Sequence, residues 1–418
     1  MSKFSSEGLR KTIGPGIIMA AAAIGVSHLV QSTRAGAEFG FALIWVVILA
    51  NLFKYPFLEF GPRYALATGK NMIQGYAKMS SVALWIFIIF TVSTMFAIQA
   101  AITMVTGSLA IKLTGIELSV VHWSGIILLI SVLLLIRNRY SFLDILIKAL
   151  MVIFAVSTII AFAAAVSIAD YNPDAAFMAP DIWTVSGVAF LIALMGWMPI
   201  PIDASAWHSI WSVERMKQTN YKPKLSEVRF DFNVGYIGAA LIALCFLSLG
   251  ALIMYGSGEE YALSATGFSN QFVNLYVQTL GEWSALIIII CAFTTMFSTT
   301  LTVTDTYPRV VTHILEILKP QFSDKRKQLY RVFLITISLG SFLFLALLGD
   351  QFRLLIDLAT TLSFLTAPVL ALMNHKLIHQ QEVSVDYIPK PWLYWLSISG
   401  IIFLTAFALI YLYWMFIF

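Results

Sequence analysis

The sequence predicts an all-α integral membrane protein of about eleven transmembrane helices. Ten of them form a five-plus-five inverted repeat in which helices 1 and 6 are discontinuous. Three observations predict this. First, of 418 residues 59% are hydrophobic and 11% charged, against about 25% charged in a soluble domain, and the mean hydropathy is +0.85. Second, apolar runs close to or above the roughly 20 residues that cross a bilayer follow one another along the chain. Third, the first and sixth runs, which hold equivalent places in two sets of five, both carry helix-loosening and ionisable residues at mid-run.

The runs lie at 13–33, 41–66, 82–111, 119–136, 142–169, 182–211, 232–256, 271–305, 330–348, 352–374 and 392–417. The first follows Lys3, Arg10 and Lys11 but is interrupted by Gly14, Pro15 and Gly16, so it reads as a membrane span rather than a cleaved leader. The second contains Lys54, Pro56 and Glu59. The third to fifth are nearly uninterrupted, and several runs exceed the minimum length, which predicts tilt. The sixth holds "MGWMPIPIDASAWHS" (195–209). The seventh follows a basic connection at 212–231, and the eighth is rich in threonine and serine. The ninth and tenth follow a second basic connection at 309–329. The eleventh has Trp392, Tyr394 and Trp395 at one end and Tyr411, Tyr413 and Trp414 at the other, which suits interfacial belts. No connection is long enough for a separate domain. The division is a tail (1–12), a ten-helix core (13–378), and a linker with a peripheral eleventh helix (379–418).

Basic residues set the expected orientation. With a cytoplasmic N-terminus, the inner connections collect most of the 26 Lys and Arg residues, in clusters such as Arg63, Lys70 and Lys78, Arg137 and Arg139, and 215–229. The outer side keeps only Arg34, Lys112 and Arg353. By the positive-inside rule the N-terminus is cytoplasmic, the C-terminus is outside, and the cell inner membrane is the location. The net charge of +4 follows from this bias and needs no nucleic-acid partner. Cys245 and Cys291 lie in separate apolar runs and form no disulfide framework or metal-ligand spacing. No cofactor is called for.

Interruption at mid-membrane carries the functional expectation. A proline inside a helix costs about 3 kcal/mol. An aspartate at mid-bilayer adds about 2.5–3.5 kcal/mol on the insertion scale. Pro199, Pro201 and Asp203 fall within five residues, and the first span places Gly25, Ser27 and His28 at the corresponding depth. Freed backbone survives in lipid only where protein or a wet cavity covers it. Paired interrupted spans in two halves therefore point to a transporter binding site.

Residues 14–70 resemble the first two helices of the Nramp (natural resistance-associated macrophage protein) family of divalent-metal transporters. The resemblance rests on "GPG" (Gly14–Gly16), "AGAEFG" (Ala35–Gly40), "LAN" (Leu49–Asn51) and "RYALATGK" (Arg63–Lys70). Looser echoes are "WMP" (Trp197–Pro199), "TTMFSTTLTVT" (Thr294–Thr304) and "LSF" (Leu362–Phe364). It implies alternating-access transport of a divalent metal at a site between unwound helices 1 and 6, with symport of a coupling cation. The family's metal-binding Asp-Pro-Gly-Asn falls here on Gly25, Val26, Ser27 and His28, so the aspartate is absent. The family's Met-Pro-His of span six admits two registers. Anchored on the proline, Met198 keeps the thioether, Met195 offers an upstream carbonyl and Ile200 replaces the histidine. Anchored on His208–Ser209, Pro201 replaces the methionine and Asp203 falls on the histidine. The acidic pair of span three falls on Gln99 and Ile102, which leaves the family's proton route without its acids.

The expected solute-binding set is Gly25, Ser27, His28, Met195, Met198, Pro199 and Asp203. Its metal ligands would be the His28 imidazole, the Met198 thioether and the Asp203 carboxylate. Imidazole with thioether favours Mn, Fe, Co or Zn over Mg and Ca. Lys54, Glu59 and His208 are candidates for coupling or gating. A Lys54 or Arg34 facing the cavity would instead suit a small organic or anionic solute, and a lysine ammonium can stand where a coupling cation would. A membrane-embedded enzyme using His28, Asp203 and His208 lacks a nucleophile or a phosphate cradle.

Overall fold

The computed structural model describes residues 6–137, 141–168, 177–349 and 351–417, without the side chains of 6, 141–148 and 417. Lys3 and Arg139 lie outside the described residues. The expected N-terminal tail forms a short helix, α1 (Ser6–Thr12). Span 1 is α2 (Pro15–Ala23), a break, a π-helical stretch (Ser27–Ser32) and α3 (Thr33–Phe39). Span 2 is α4 (Ile44–Thr68), and α5 (Met72–Met79) bridges to the next span. Spans 3 to 5 are α6 (Ser81–Thr114), α7 (Val120–Arg137) and α8 (Ser141–Ile168). Span 6 is α9 (Val185–Trp197) and α10 (Ala204–Thr219), and span 7 is α11 (Leu225–Ile253). After α12 (Ala265–Leu280) come spans 8 to 11: α13 (Ser284–Leu318), α14 (Arg326–Leu348), α15 (Phe352–Ile378) and α16 (Pro391–Ile417).

Among the described residues nine helical stretches are long and apolar enough to cross a membrane. The interrupted spans 1 and 6 complete the expected set of about eleven. Two expected boundaries are corrected. The run at 271–305 is not one span, because α12 ends at Gly281, whose φ of +92° stops the helix, and span 8 then runs on to Leu318. Span 7 starts at Leu225, seven residues before the apolar run, because its polar first turns have partners. Glu227 accepts from the Lys224 backbone at 2.9 Å, and Asp231 accepts from Gly14 and Gly16 N–H at 3.1 and 2.7 Å.

Without a hydrophobic drive between helices in lipid, close packing depends on small residues. A Cβ on Gly36 would lie 1.9 Å from the Leu247 carbonyl, so α3 lies directly against α11. A Cβ on Gly196 would lie 2.0 Å from the Thr360 carbonyl, so the end of α9 abuts α15. Apolar side chains such as Leu129 on α7, Leu343 on α14 and Ile402 on α16 remain exposed on the outside of the bundle, as lipid-facing surfaces require. The broken segments of spans 1 and 6 are buried between α4, α6, α11, α13 and α15.

Candidate functional site

Both interruptions free backbone carbonyls, and side chains from other helices collect them. At the end of α2, Thr299 Oγ1 of α13 donates to Ala21 O at 2.8 Å, and Ser27 Oγ lies 2.9 Å from Ala23 O. Gly25 sits against Thr299, where a Cβ would come within 3.0 Å of its methyl group. The chain resumes when Leu29 N–H bonds Gly25 O at 2.9 Å.

Span 6 breaks from Met198 to Asp203. The last carbonyls of α9 have no helical donors because Pro199 and Pro201 bring none. Lys54, reaching across from α4 and fully buried, supplies them. Its Nζ donates to Met195 O at 2.5 Å and Gly196 O at 2.8 Å, with Ile200 O at 3.5 Å. An ammonium at a helix C-terminus also meets the negative end of the helix dipole. Asp203 stands at the start of α10 with Oδ1 buried and unpartnered, within Coulombic reach of Lys54. Ser27 Oγ also lies 3.3 Å from Pro199 O, so the two broken spans touch.

Between them is a cavity of about 20 Å³, room for one water, lined by Ser27, Thr299, Trp197, Pro199, Ile200 and neighbouring apolar residues. Beyond the break in span 1, α3 is tied to α15 by ion pairs. Arg34 of α3 donates to both oxygens of Asp357 on α15 at 3.0 Å and to Glu38 at 3.2 Å, and it lies over the Phe190 ring at 4.2 Å. Arg353 also pairs with Glu38. On the N-terminal side a cavity of about 550 Å³ runs inward to Ala21 and Ser298.

The expected residues divide accordingly. Ser27, Pro199 and the Met195 carbonyl stand at the junction of the two breaks, with Gly25 against Thr299. The three candidate metal ligands have different surroundings. His28 turns away toward α11, with one ring nitrogen 2.9 Å from Ala239 O and the other 2.7 Å from Ser27 Oγ, so both are engaged. Among the described residues no group of three or more His, Cys, Asp and Glu side chains is arranged to hold a metal ion. Met198 is buried in the core and does not line the cavity, nor does Asp203. Glu59 is bound to Arg63 at 2.6 and 2.7 Å, with Arg229 at 3.7 Å, and His208 packs against Phe232 and Trp211. Sequence reasoning missed Thr299, visible only as one threonine of a rich stretch. It also missed Asp357, whose sequence signal is its place four residues after Arg353 in an otherwise apolar span.

A model of the natural resistance-associated macrophage protein-like family matches residues 16–414. The chain belongs to that family. It is a multi-pass membrane transporter and not an enzyme. An uncharacterized protein of Pasteurella multocida is 34% identical over 405 residues, covering 96% of this chain and 91% of that protein. A divalent metal cation transporter, MntH, of Lacticaseibacillus casei is 24% identical over 271 residues, 61% of this chain and 58% of that protein. The crystal structure of a mutant form of the manganese transporter of Eremococcus coleocola superposes with a TM-score of 0.69 at 17% identity, covering 98% of this chain and 88% of that one. The shared architecture is the five-plus-five inverted-repeat transporter fold with discontinuous helices 1 and 6.

Proposed function

We propose that this family member carries a small organic solute, anionic or zwitterionic, by alternating access between its broken helices, in place of a divalent metal. One observation carries the reading. The Lys54 ammonium sits on the Met195 and Gly196 carbonyls, one of which is the carbonyl a metal would use under the proline register. A second, divalent cation there would face a buried like charge where screening is weak. The engagement of both His28 nitrogens supports the same reading. A fixed cation beside half-helix ends suits a solute that brings a negative group.

The basic-residue bias supports a cytoplasmic N-terminus and an outer C-terminus in the cell inner membrane. The larger cavity then faces the cytoplasm and the Arg34–Asp357 pair closes the outer side. Gln99, bonded to Thr304 Oγ1 at 2.8 Å, and Ile102 offer no carboxylate for proton coupling by the family route. The second reading is the divalent metal. Family membership and the unpartnered Asp203 oxygen favour it.

Titration of the purified protein with Mn²⁺, Zn²⁺, Mg²⁺, acetate, lactate, succinate, glycine, alanine and proline separates the two. Saturable binding of an organic solute that is lost in Lys54→Met, without Mn²⁺ binding, is the expected result. Mn²⁺ binding that disappears in Asp203→Ala and His28→Ala overturns it.

A further inference from the structure

The 550 Å³ cavity has apolar inner walls, including Ile17, Ile18 and Leu301, and a charged mouth formed by α10, α13 and α14. Among the described residues the charges at that mouth do not balance. Both carboxylates, Asp305 and Glu214, are taken by Arg309, at 2.6 Å and at 3.1 and 3.2 Å, and Tyr330 also donates to Asp305 at 2.5 Å. Arg326 faces Glu316 at 3.4 Å and donates to His313 at 2.8 Å. Lys327 and Arg331 line the same cavity and have no carboxylate partner among the described residues. The inner end of the cavity reaches Ala21 and Ser298, beside the Thr299–Ala21 hydrogen bond that separates it from the small cavity between the breaks.

We propose that Lys327 and Arg331 form an anion-selective rim on the solute path, which concentrates small anions at the mouth and repels divalent cations. The proposal rests on the organic-solute reading and extends it to the path. Lipid phosphates account for basic residues scattered around a cytoplasmic face. They do not account for two cations without a carboxylate partner among the described residues, on the lining of a cavity with low-dielectric walls, where field lines are focused into the opening. Arg309 does not serve this purpose, because the two carboxylates that hold it outweigh its single charge.

A thiol placed deeper than the rim reports the selectivity without knowledge of the solute. Thr302→Cys, on the cavity wall, is introduced with Cys245→Ala and Cys291→Ala. It is then modified by negatively charged methanethiosulfonate ethylsulfonate or positively charged methanethiosulfonate ethyltrimethylammonium, each rate normalised to that of free 2-mercaptoethanol. At low salt the anionic reagent reacts about tenfold faster than the cationic one, within the usual range of electrostatic steering. The ratio falls toward one in Lys327→Gln/Arg331→Gln, inverts in Lys327→Glu/Arg331→Glu, and fades at high salt. Size-exclusion profiles identify variants that have not folded, and the Gln pair keeps the test available if the Glu pair fails. A ratio near one in the parent, or one unmoved by either pair, overturns the rim. A preserved ratio together with Mn²⁺ binding in the titration above overturns the organic-solute reading and leaves the rim, so the two fail separately.

Discussion

Replacing Lys54 by methionine keeps about the length of the aliphatic stem and removes the charge and the donors. The structure sets the size of the effect. Two short charged hydrogen bonds, to Met195 O and Gly196 O, are lost from a fully buried position. Hydrogen bonds to charged groups contribute about 1.5–3 kcal/mol each, so the loss is about 3–6 kcal/mol. Relief from desolvating the ammonium offsets part of it. A destabilisation of about 3 kcal/mol is expected in reversible SDS unfolding from mixed micelles. Lys54→Gln keeps a neutral donor and recovers about half of it. A Lys54→Met protein within about 1 kcal/mol of the parent would show that the α9 carbonyls do not depend on this ammonium, and the reasoning about the site would fail with it.

Other perturbations have equally definite outcomes. Asp357→Asn leaves Arg34 with Glu38 as its one carboxylate among the described residues and loosens the tie between α3 and α15. The pair is partly exposed, so about 1 kcal/mol is at stake, and a cysteine at position 31 should react about fivefold faster with reagent from the side opposite the N-terminus. Gly196→Ala forces a Cβ against the Thr360 carbonyl at 2.0 Å, which two backbones cannot relieve cheaply. A loss of up to about 3 kcal/mol is expected, with no gain in solute binding. Glu382 ties together α4, α5 and the α15–α16 connection through Tyr64, Lys78 and Lys70. Burial raises its carboxyl pKa, but the Tyr64 and Lys78 hydrogen bonds and the Lys70 charge outweigh that and hold it below the ordinary 4.5. The clamp is fully present above that ordinary value and is lost as pH falls through the lower folded one. Thermal stability should therefore drop between pH 5 and about pH 3 in the parent protein, with a smaller drop in Glu382→Gln.

The fold was legible because lipid demands uninterrupted helices, so every departure from an apolar run stands out. Pro199, Pro201 and Gly25 marked the two breaks for that reason. The α12–α13 boundary was less visible, since hydropathy averages over Gly281 and joins two helices. The site was half legible. Residue type told that Lys54 and Asp203 are costly in a membrane, but a long side chain on α4 can turn toward lipid headgroups or toward the core, and only the packing of α9 against it decides. His28 carried the right chemistry for a metal. Its partner, however, is the backbone carbonyl of Ala239, 211 residues away, and backbone carbonyls leave no trace in a sequence. Asp357 and Arg34 likewise become an ion pair only when α3 and α15 meet.

The identity of the cation on the Met195 carbonyl can be observed directly. Crystals of the protein soaked in Mn²⁺ and measured near the manganese edge should show no anomalous peak at the broken helices, with density for Lys54 Nζ continuous to Met195 O and Gly196 O. An anomalous peak bonded to Met195 O or Asp203, with Lys54 displaced, contradicts a tethered ammonium at the centre of the site.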